Sequence, residues 1–153
     1  PRFRKFGGNT AYAEGWALYT EFMPKEFGFF TDPYMDFGRL SSELLRAARL
    51  VVDTGLHAQK WTREETMNWM RTNSPFPERD IFTETNRYIV IPGQACSYKI
   101  GMLKILELRE LAKAQLGERF DLRAYHDLVL KDGAVPMNIL DENVRAWIAR
   151  QRY

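Results

Sequence analysis

Two carboxylates in the segment AYAEGWALYTE have the type and spacing of metal ligands. Glu14 and Glu21 lie seven residues apart, which is two turns of an α-helix and places both side chains on one face. Glycine weakens a helix, so Gly15 beside Glu14 is expected where another helix or a bound ion comes close. A carboxylate is a common zinc ligand. The residue pattern alone favours a simpler interpretation, a surface acid that pairs with a nearby arginine.

A complete zinc site cannot be assembled from this sequence. A zinc hydrolase uses three protein ligands, an open position for water and a general base, and the usual helical arrangement is a His-Glu-x-x-His motif. The chain has 2 histidines, His57 and His126, which lie far apart and outside any such motif. The other zinc ligands would therefore have to come from residues outside this chain. His126 is expected to have a packing or surface role.

Side chains that donate hydrogen bonds are concentrated in the segment RYIVIPGQACSYKIG. Gln94 and Tyr98 lie four residues apart, on one face if the segment is helical. A phenol and an amide can both donate to a developing oxyanion, and Arg87 can hold a peptide's terminal carboxylate. The alternative is structural, with Tyr98 in the core and Gln94 capping the turn after Pro92. We predict Tyr98 as the strongest catalytic candidate. The predicted substrate-binding residues are Arg87, Tyr88 and Gln94.

The composition argues against several classes of function. The net charge is +2, from 22 basic and 20 acidic residues that are mixed along the chain, so nucleic acid is not an expected partner. No apolar run approaches the roughly 18 residues of a membrane span. The single cysteine, Cys96, excludes a disulfide within the chain, and its apolar neighbours predict a buried, inert thiol.

Helical periodicity broken by glycine and proline predicts a single all-α domain, residues 1–153, built as a multi-helix array with short connections. Expected helix caps are Thr62, which begins a capping box, and Asp121. Residues 88–91 are β-like in composition but precede a proline, so an extended link or a helix end is predicted there. The predicted helices span about 10–23, 36–57, 63–71, a segment from 78, then 93–116, 122–130 and 136–150.

Three separated blocks of the sequence resemble one known family. The blocks are AYAEGWALYTE, GRLSSELLRAARLVVDTGLHAQKWTREET and RYIVIPGQACSYKIG, in that order. They are similar to the C-terminal portion of a bacterial family called domain of unknown function 885, over at least Tyr12 to Leu108. Members of that family are several times longer and look like relatives of the gluzincin zinc metallopeptidases, a helical group. This chain, which begins PRFRK without an initiator methionine, is therefore expected to be the C-terminal portion of a larger metallopeptidase-like fold.

The resemblance implies roles for three residues. In the gluzincin group a His-Glu-x-x-His-like segment lies upstream, and a glutamate on a following helix completes the zinc site. Glu14 matches that glutamate, with Glu21 as an acid that orients a ligand. His57 matches a residue that donates a hydrogen bond to the oxyanion formed on the peptide carbonyl. The alternative for His57 is a histidine stabilised at the C-terminus of a helix.

Two hypotheses about function follow from these features. In the first, the chain is a fragment of a zinc-dependent, peptidase-like hydrolase that acts on peptides, with zinc bound in the intact protein and the fragment alone inactive. In the second, it is a non-catalytic helical module for binding or scaffolding. In either case helices without their neighbours would expose apolar side chains, and we expect a patch around Trp16, Tyr19 and Tyr98 to cause self-association.

Overall fold

The structure is a computed structural model that describes residues 7–151. Within this range it contains seven α-helices and no β-strand, so the predicted all-α array is confirmed. None of these helices has an apolar stretch that could span a lipid bilayer. The helices are α1 (Thr10–Glu26), α2 (Pro33–Ala58), α3 (Arg63–Asn73), α4 (Glu78–Val90), α5 (Ser97–Leu116), α6 (Leu122–Lys131) and α7 (Met137–Gln151).

Two prolines account for helix boundaries that differ from the prediction. α1 continues through Pro24 to Glu26, so this proline, which lacks the amide that would donate to the carbonyl four residues earlier, lies in the last turn and does not end the helix at the residue before it. α2 begins at Pro33, earlier than predicted. The Asp32 carboxylate accepts the amide of Tyr34, and proline is favoured at the first helical position.

The turn between α4 and α5 is longer than predicted, so α5 begins at Ser97 and not near Gly93. Gly93 has a left-handed conformation, with φ of 78°. Its amide donates to both oxygens of the buried Asp53 carboxylate on α2, at 3.0 and 3.2 Å, which holds the turn against that helix. Of the two alternatives for residues 88–91, the helix end is correct, because α4 ends at Val90.

The predicted capping residues are confirmed. The Thr62 hydroxyl accepts the amide of Glu65, and the Glu65 carboxylate accepts the amide of Thr62, which is a complete capping box at the start of α3. The Asp121 carboxylate accepts two amides at the start of α6. These contacts satisfy backbone donors that a helix leaves unpaired at its first turn.

The contact between α1 and α5 is the most extensive between any two described helices, and glycine makes it possible. Gly15 of α1 faces Gly101 of α5, and a methyl group added at Gly101 would lie 1.8 Å from the carbonyl oxygen of Ala11. The two backbones therefore meet with no side chain between them. The expectation that Gly15 marks a close approach is confirmed, and this contact also sets the position of the adjacent Glu14.

The buried side chains form two apolar cores. The larger core joins α1, α5, α6 and α7 through side chains such as Leu18, Ile105 and Val144. The smaller core joins α2, α3 and α4 through side chains such as Val52 and Met70.

The apolar patch expected around Trp16, Tyr19 and Tyr98 is not exposed. Tyr19 has no accessible surface, and Trp16 and Tyr98 are half-buried against the larger core. The prediction placed the patch wrongly because it assumed that these rings would lose their neighbours. His126 of α6 packs against Trp16 and Tyr19, and Arg46 and Arg49 of α2 lie over Tyr98. Apolar side chains are instead exposed along α2.

His126 packs against the larger core as part of a polar chain. Its Nε2 lies 2.8 Å from the Tyr19 hydroxyl, and its ring meets the Trp16 ring edge-on. The buried Arg109 donates to the same hydroxyl at 3.2 Å and pairs with Glu26 at 2.7 Å. Because arginine can only donate, the hydroxyl is available to donate to an unprotonated Nε2. The packing role expected for His126 is therefore confirmed.

We predict that the protein loses stability as the pH falls below about 6.5. Burial is the main cause that lowers the pKa of His126 from its usual 6.5; the charge of Arg109 adds to it, while Asp127 and Glu26 oppose it. A histidine with a lowered pKa in the folded state stabilises the fold fully above its unfolded pKa. Below that pH, His126 is protonated in the unfolded chain but remains neutral in the folded chain. Protonation therefore stabilises the unfolded state, and the free energy of unfolding decreases.

Chemical denaturation between about pH 7.5 and 5.5, above the range where most carboxylates titrate, measures this loss. The variant His126→Gln should be less stable at neutral pH and nearly insensitive to pH over that interval. An equally steep pH dependence in the variant would contradict the assignment to His126.

Candidate functional site

Glu84 of α4 is the centre of a hydrogen-bonded cluster that joins α2 and α4. Its carboxylate accepts from Arg49 at 2.7 Å, from Arg87 at 3.0 and 3.2 Å, and from the Tyr88 hydroxyl at 2.8 Å. Burial alone would raise the pKa of Glu84, but these hydrogen bonds outweigh it and lower the pKa to about 2. The carboxylate is therefore charged at any physiological pH and fixes the position of both arginines.

Tyr88, a predicted substrate-binding residue, is fully buried. Its hydroxyl donates to Glu84 and accepts from Arg49 Nε at 3.0 Å. Burial is the main cause that raises the pKa of Tyr88 to about 12, with Glu84 adding to the shift and Arg49 opposing it. With no accessible surface and a hydroxyl that is already bonded, Tyr88 acts in this arrangement by holding Glu84 and Arg49.

A line of contacts leads from this cluster to Glu14 on α1. Arg87 Nη1 donates to Gln94 Oε1 at 2.6 Å, and Gln94 Nε2 donates to Glu14 Oε1 at 3.3 Å. Because arginine only donates and a carboxylate only accepts, the Gln94 amide can satisfy both with a single orientation. The structure thus brings together three of the predicted site residues, which lie up to 80 positions apart in the sequence.

The Glu14 side chain is half-buried, and its partners differ from those of Glu21 on the same helix. The Gln94 amide is its only hydrogen-bond partner among residues 7–151, and no lysine or arginine in that range pairs with it. Glu21, seven residues along the same helix, pairs with Arg46 at 3.2 Å and accepts from Ser42 at 3.1 Å. The surface ion pair that the residue pattern favoured is therefore found at Glu21 and not at Glu14.

Tyr98 lies on α5 beneath two guanidinium groups. The Arg49 guanidinium carbon is 4.8 Å from the centre of the Tyr98 ring, and that of Arg46 is 5.9 Å away. These cation–π contacts fix the ring. The Tyr98 side chain is half-buried, and its hydroxyl makes no hydrogen bond within the described part of the chain. Among the predicted donors, Tyr98 is thus the one whose polar end has no hydrogen-bond partner in residues 7–151.

His57 lies near the C-terminal end of α2 and is bound to the last turn of α4. Its Nε2 lies 3.0 Å from the carbonyl oxygen of Tyr88, an arrangement in which the imidazole N–H donates to the carbonyl. No hydrogen bond joins it to Glu14 or Tyr98 within residues 7–151. In this arrangement, His57 fixes the end of the helix that carries Arg87 and Tyr88.

Three important residues of this region were not among the predicted site residues. Glu84 and Arg49 form the centre of the cluster, and Asp53 holds the turn before Gln94. Arg49 and Asp53 have the four-residue spacing of a helical ion pair, but in the described structure each binds a partner on another segment instead. A local signal existed for Glu84, whose spacing of three from Arg87 suits an ion pair on one helix.

Cys96 is buried and free. Burial is the main cause that raises the pKa of its thiol to about 11, with the neighbouring Asp53 carboxylate adding to it. Very little thiolate is therefore present at neutral pH, and the thiol is a poor nucleophile and a poor metal ligand.

The described residues do not form a metal site by themselves. Within residues 7–151 no group of three or more His, Cys, Asp or Glu side chains is arranged to hold a metal ion. The oxygen of a carboxylate such as Glu14 suits zinc as one ligand among several. A zinc site that uses Glu14 would need the other ligands from outside this chain.

Comparisons with known proteins place the chain in a larger context. A family model described as "Bacterial protein of unknown function (DUF885)" matches residues 1–144. The crystal structure of a "putative lipoprotein" from Colwellia psychrerythraea is 52% identical, with a TM-score of 0.94 over 98% of this chain and 26% of that chain. A "putative lipoprotein of unknown function" from Shewanella oneidensis is 29% identical, with a TM-score of 0.82 over 88% of this chain and 25% of that chain. This chain thus spans about a quarter of the length of both. No curated protein matches it.

Proposed function

This chain belongs to the DUF885 family of bacterial proteins, and from that premise we propose that it is part of a zinc-dependent, peptidase-like hydrolase to which it contributes Glu14 as a zinc ligand. By the full-length protein we mean the natural polypeptide that contains these 153 residues. The other ligands and the general base come from a His-Glu-x-x-His-like segment outside them. Zinc, when bound, polarises a peptide carbonyl and makes water a nucleophile at neutral pH.

The observation that carries the proposal is the state of the Glu14 carboxylate. It is half-buried, its partner is a neutral amide, and it has no counter-ion within residues 7–151. Partly burying a charge without a counter-ion costs free energy, so the arrangement suits a cation that residues 7–151 do not provide. Glu21 and Glu84 are poorer candidates, because a metal would have to displace an arginine from each.

The contacts behind Glu14 orient its carboxylate. Glu84 holds Arg87, Arg87 fixes the Gln94 amide, and the amide donates to one oxygen of Glu14. Partners of this kind raise metal affinity by about 10–100-fold in known zinc sites. Three of the five N–H donors of the Arg87 guanidinium, one on each nitrogen, are used in these contacts, so Glu84 and Gln94 together fix its position. We assign it to positioning, and Gln94 keeps one N–H for a substrate.

Tyr98 is the residue that we assign to stabilising the oxyanion on the peptide carbonyl. Its hydroxyl is not bonded within the described residues, and Arg46 and Arg49 hold its ring. A donor that is fixed in advance stabilises developing charge without reorganising. His57 contributes by keeping the end of α4 in place through the Tyr88 carbonyl.

We expect Glu14→Ala to lower the zinc affinity of the full-length protein by more than about 100-fold, because even the outer partners of a zinc ligand contribute about 10–100-fold. Equilibrium dialysis of the folded protein measures the affinity. Glu21→Ala is the matched control. It removes the same group from the same helix, but the Glu21 carboxylate pairs with Arg46 and takes no part in the contacts behind Glu14, so the implied role of Glu21 in orienting a ligand is not expected and its effect should stay below about 10-fold. If the Glu14→Ala variant binds zinc as tightly as the unsubstituted protein, Glu14 is not a zinc ligand. No zinc bound by the parent protein would leave the helical binding or scaffold module as the function.

A further inference from the structure

The first half of α2 packs onto α1, α5 and the chain around them through its polar side. Asp36 pairs with Lys25, Glu43 with Lys99, and Arg46 with Glu21. Arg39, whose side chain is only 7% exposed, lies on the same side and pairs with two acids of its own helix. Successive residues of this side recur every three or four positions, as one face of a helix must. The face turned toward α1 and α5 is therefore ionic over this half of the helix.

A second side of α2 is apolar and exposed. The exposed fraction is 82% for Tyr34, 66% for Phe37, 49% for Leu40, 43% for Leu44 and 39% for Val51. These five residues are spaced by three, three, four and seven positions and so form one stripe, which we call the outer face of α2. Surface helices normally turn their apolar stripe toward the core, and α2 does the reverse.

A neighbouring side of the same helix is also apolar, but it is covered. Ala48 and Val52 are buried against Met67 and Met70 of α3 in the smaller core. Val51, between them in sequence, points to the outer face and is exposed, so α2 carries a covered apolar side beside a bare one. Exposed apolar stripes of this length are uncommon on a monomer and mark surfaces that contact something else.

We propose that the outer face of α2 is the surface on which the remainder of the full-length protein docks. The chain makes up 26% and 25% of the two matched structures, one of them 52% identical to it, so about three quarters of such a polypeptide lies beyond the matched region. A contact within one polypeptide needs little area, because the covalent link already keeps the two parts together at high effective concentration.

The area argues against a second copy of this chain as the occupant. A stable protein–protein interface uses about 20–30 residues on each side. The outer face offers five residues in a single row, with the nearby Phe27 and Phe29 adding two more exposed rings. That number is too small for a durable dimer but is sufficient for packing between parts of one polypeptide.

The test compares one substitution in two contexts. Leu40→Glu changes the outer face, and Leu103→Glu on α5 is the matched control, because both leucines are 49% exposed. In the 153-residue chain alone, we expect both variants to keep the midpoint of thermal unfolding within about 1 °C of the parent. In the full-length protein, we expect Leu40→Glu to lower the midpoint by about 3 °C or more, and Leu103→Glu to lower it much less.

Hydroxyl-radical footprinting of the unmodified protein gives a second measurement that does not depend on a variant folding. Tyr34 and Phe37 should be oxidised readily in the 153-residue chain and protected in the full-length protein. Equal oxidation in both contexts would overturn the proposal. So would sedimentation that shows a dimer of the 153-residue chain broken by Leu40→Glu, because the occupant would then be a second copy. These results do not depend on zinc, so the docking surface and the hydrolase proposal can fail separately.

Discussion

Replacing Gly101 with alanine is expected to destabilise the fold by about 3 kcal/mol or more. The added methyl group would lie 1.8 Å from the Ala11 carbonyl oxygen and 2.7 Å from the Gly15 Cα. Both atoms belong to the backbone of α1, which cannot move aside without separating the two helices. The separation would open the larger core that α1 and α5 share, and it would also shift Glu14 away from Gln94. Urea denaturation of the 153-residue chain measures the effect.

Gly38→Ala provides the matched control for this substitution. Gly38 lies inside α2, and a methyl group there would meet nothing within 4 Å. Alanine is the better helix former, so this variant should be more stable than the parent by about 0.5–1 kcal/mol. The same chemical change is thus expected to have opposite effects at two helical glycines. A Gly101→Ala variant with parental stability would show that α1 and α5 do not approach as closely as described.

Glu84→Gln is expected to reduce the free energy of unfolding by about 2–4 kcal/mol. The substitution keeps the size of the side chain but removes the negative charge that faces Arg49 and Arg87. Arg49 is buried, and a buried cation without its counter-ion is costly. At neutral pH, where Glu84 is charged in the unsubstituted protein, the whole difference in the free energy of unfolding should be present. Since the pKa of Glu84 is lowered to about 2, the parent should lose this stabilisation between about pH 4.5 and 2, and the variant should lose much less.

Glu78→Gln is the control for the charge change, because Glu78 lies on the same helix but its side chain is 60% exposed and pairs with Arg71 at the surface. Surface ion pairs contribute little to stability, so this variant should unfold close to the parent. In the full-length protein, Glu84→Gln should also weaken zinc binding by about 10-fold or more, because it loosens the contacts that orient Glu14. Similar stability of the two variants would contradict the central role of Glu84.

The elements of the fold could be predicted because their signals are local. A threonine followed three residues later by glutamate marks the start of α3, and Asp121 marks that of α6. Helical spacing of apolar residues is also a property of neighbouring positions. The start of α2 was missed because Asp32 and Pro33 also suit a turn, and only the following backbone decides between the two.

The site could be predicted only in part, because its contacts join segments that are distant in sequence. Arg49 and Glu84 are 35 residues apart, and Glu14 and Gln94 are 80 apart. Residue type identified Arg87 and Gln94 as donors, but it could not say that they bind each other. Gly15 was correctly interpreted as a point of close approach, yet nothing in its neighbourhood identified α5 as the helix that approaches.

The proposal that Glu14 is a zinc ligand of a peptidase-like hydrolase is best tested by one measurement. It combines the zinc content of the full-length protein with its hydrolysis of a mixed peptide pool. We expect about one zinc ion per chain, and hydrolysis that stops when a chelator removes the zinc. Glu14→Ala should abolish both properties while the protein stays folded. A well-folded parent protein that contains no zinc and leaves every peptide intact would contradict the claim.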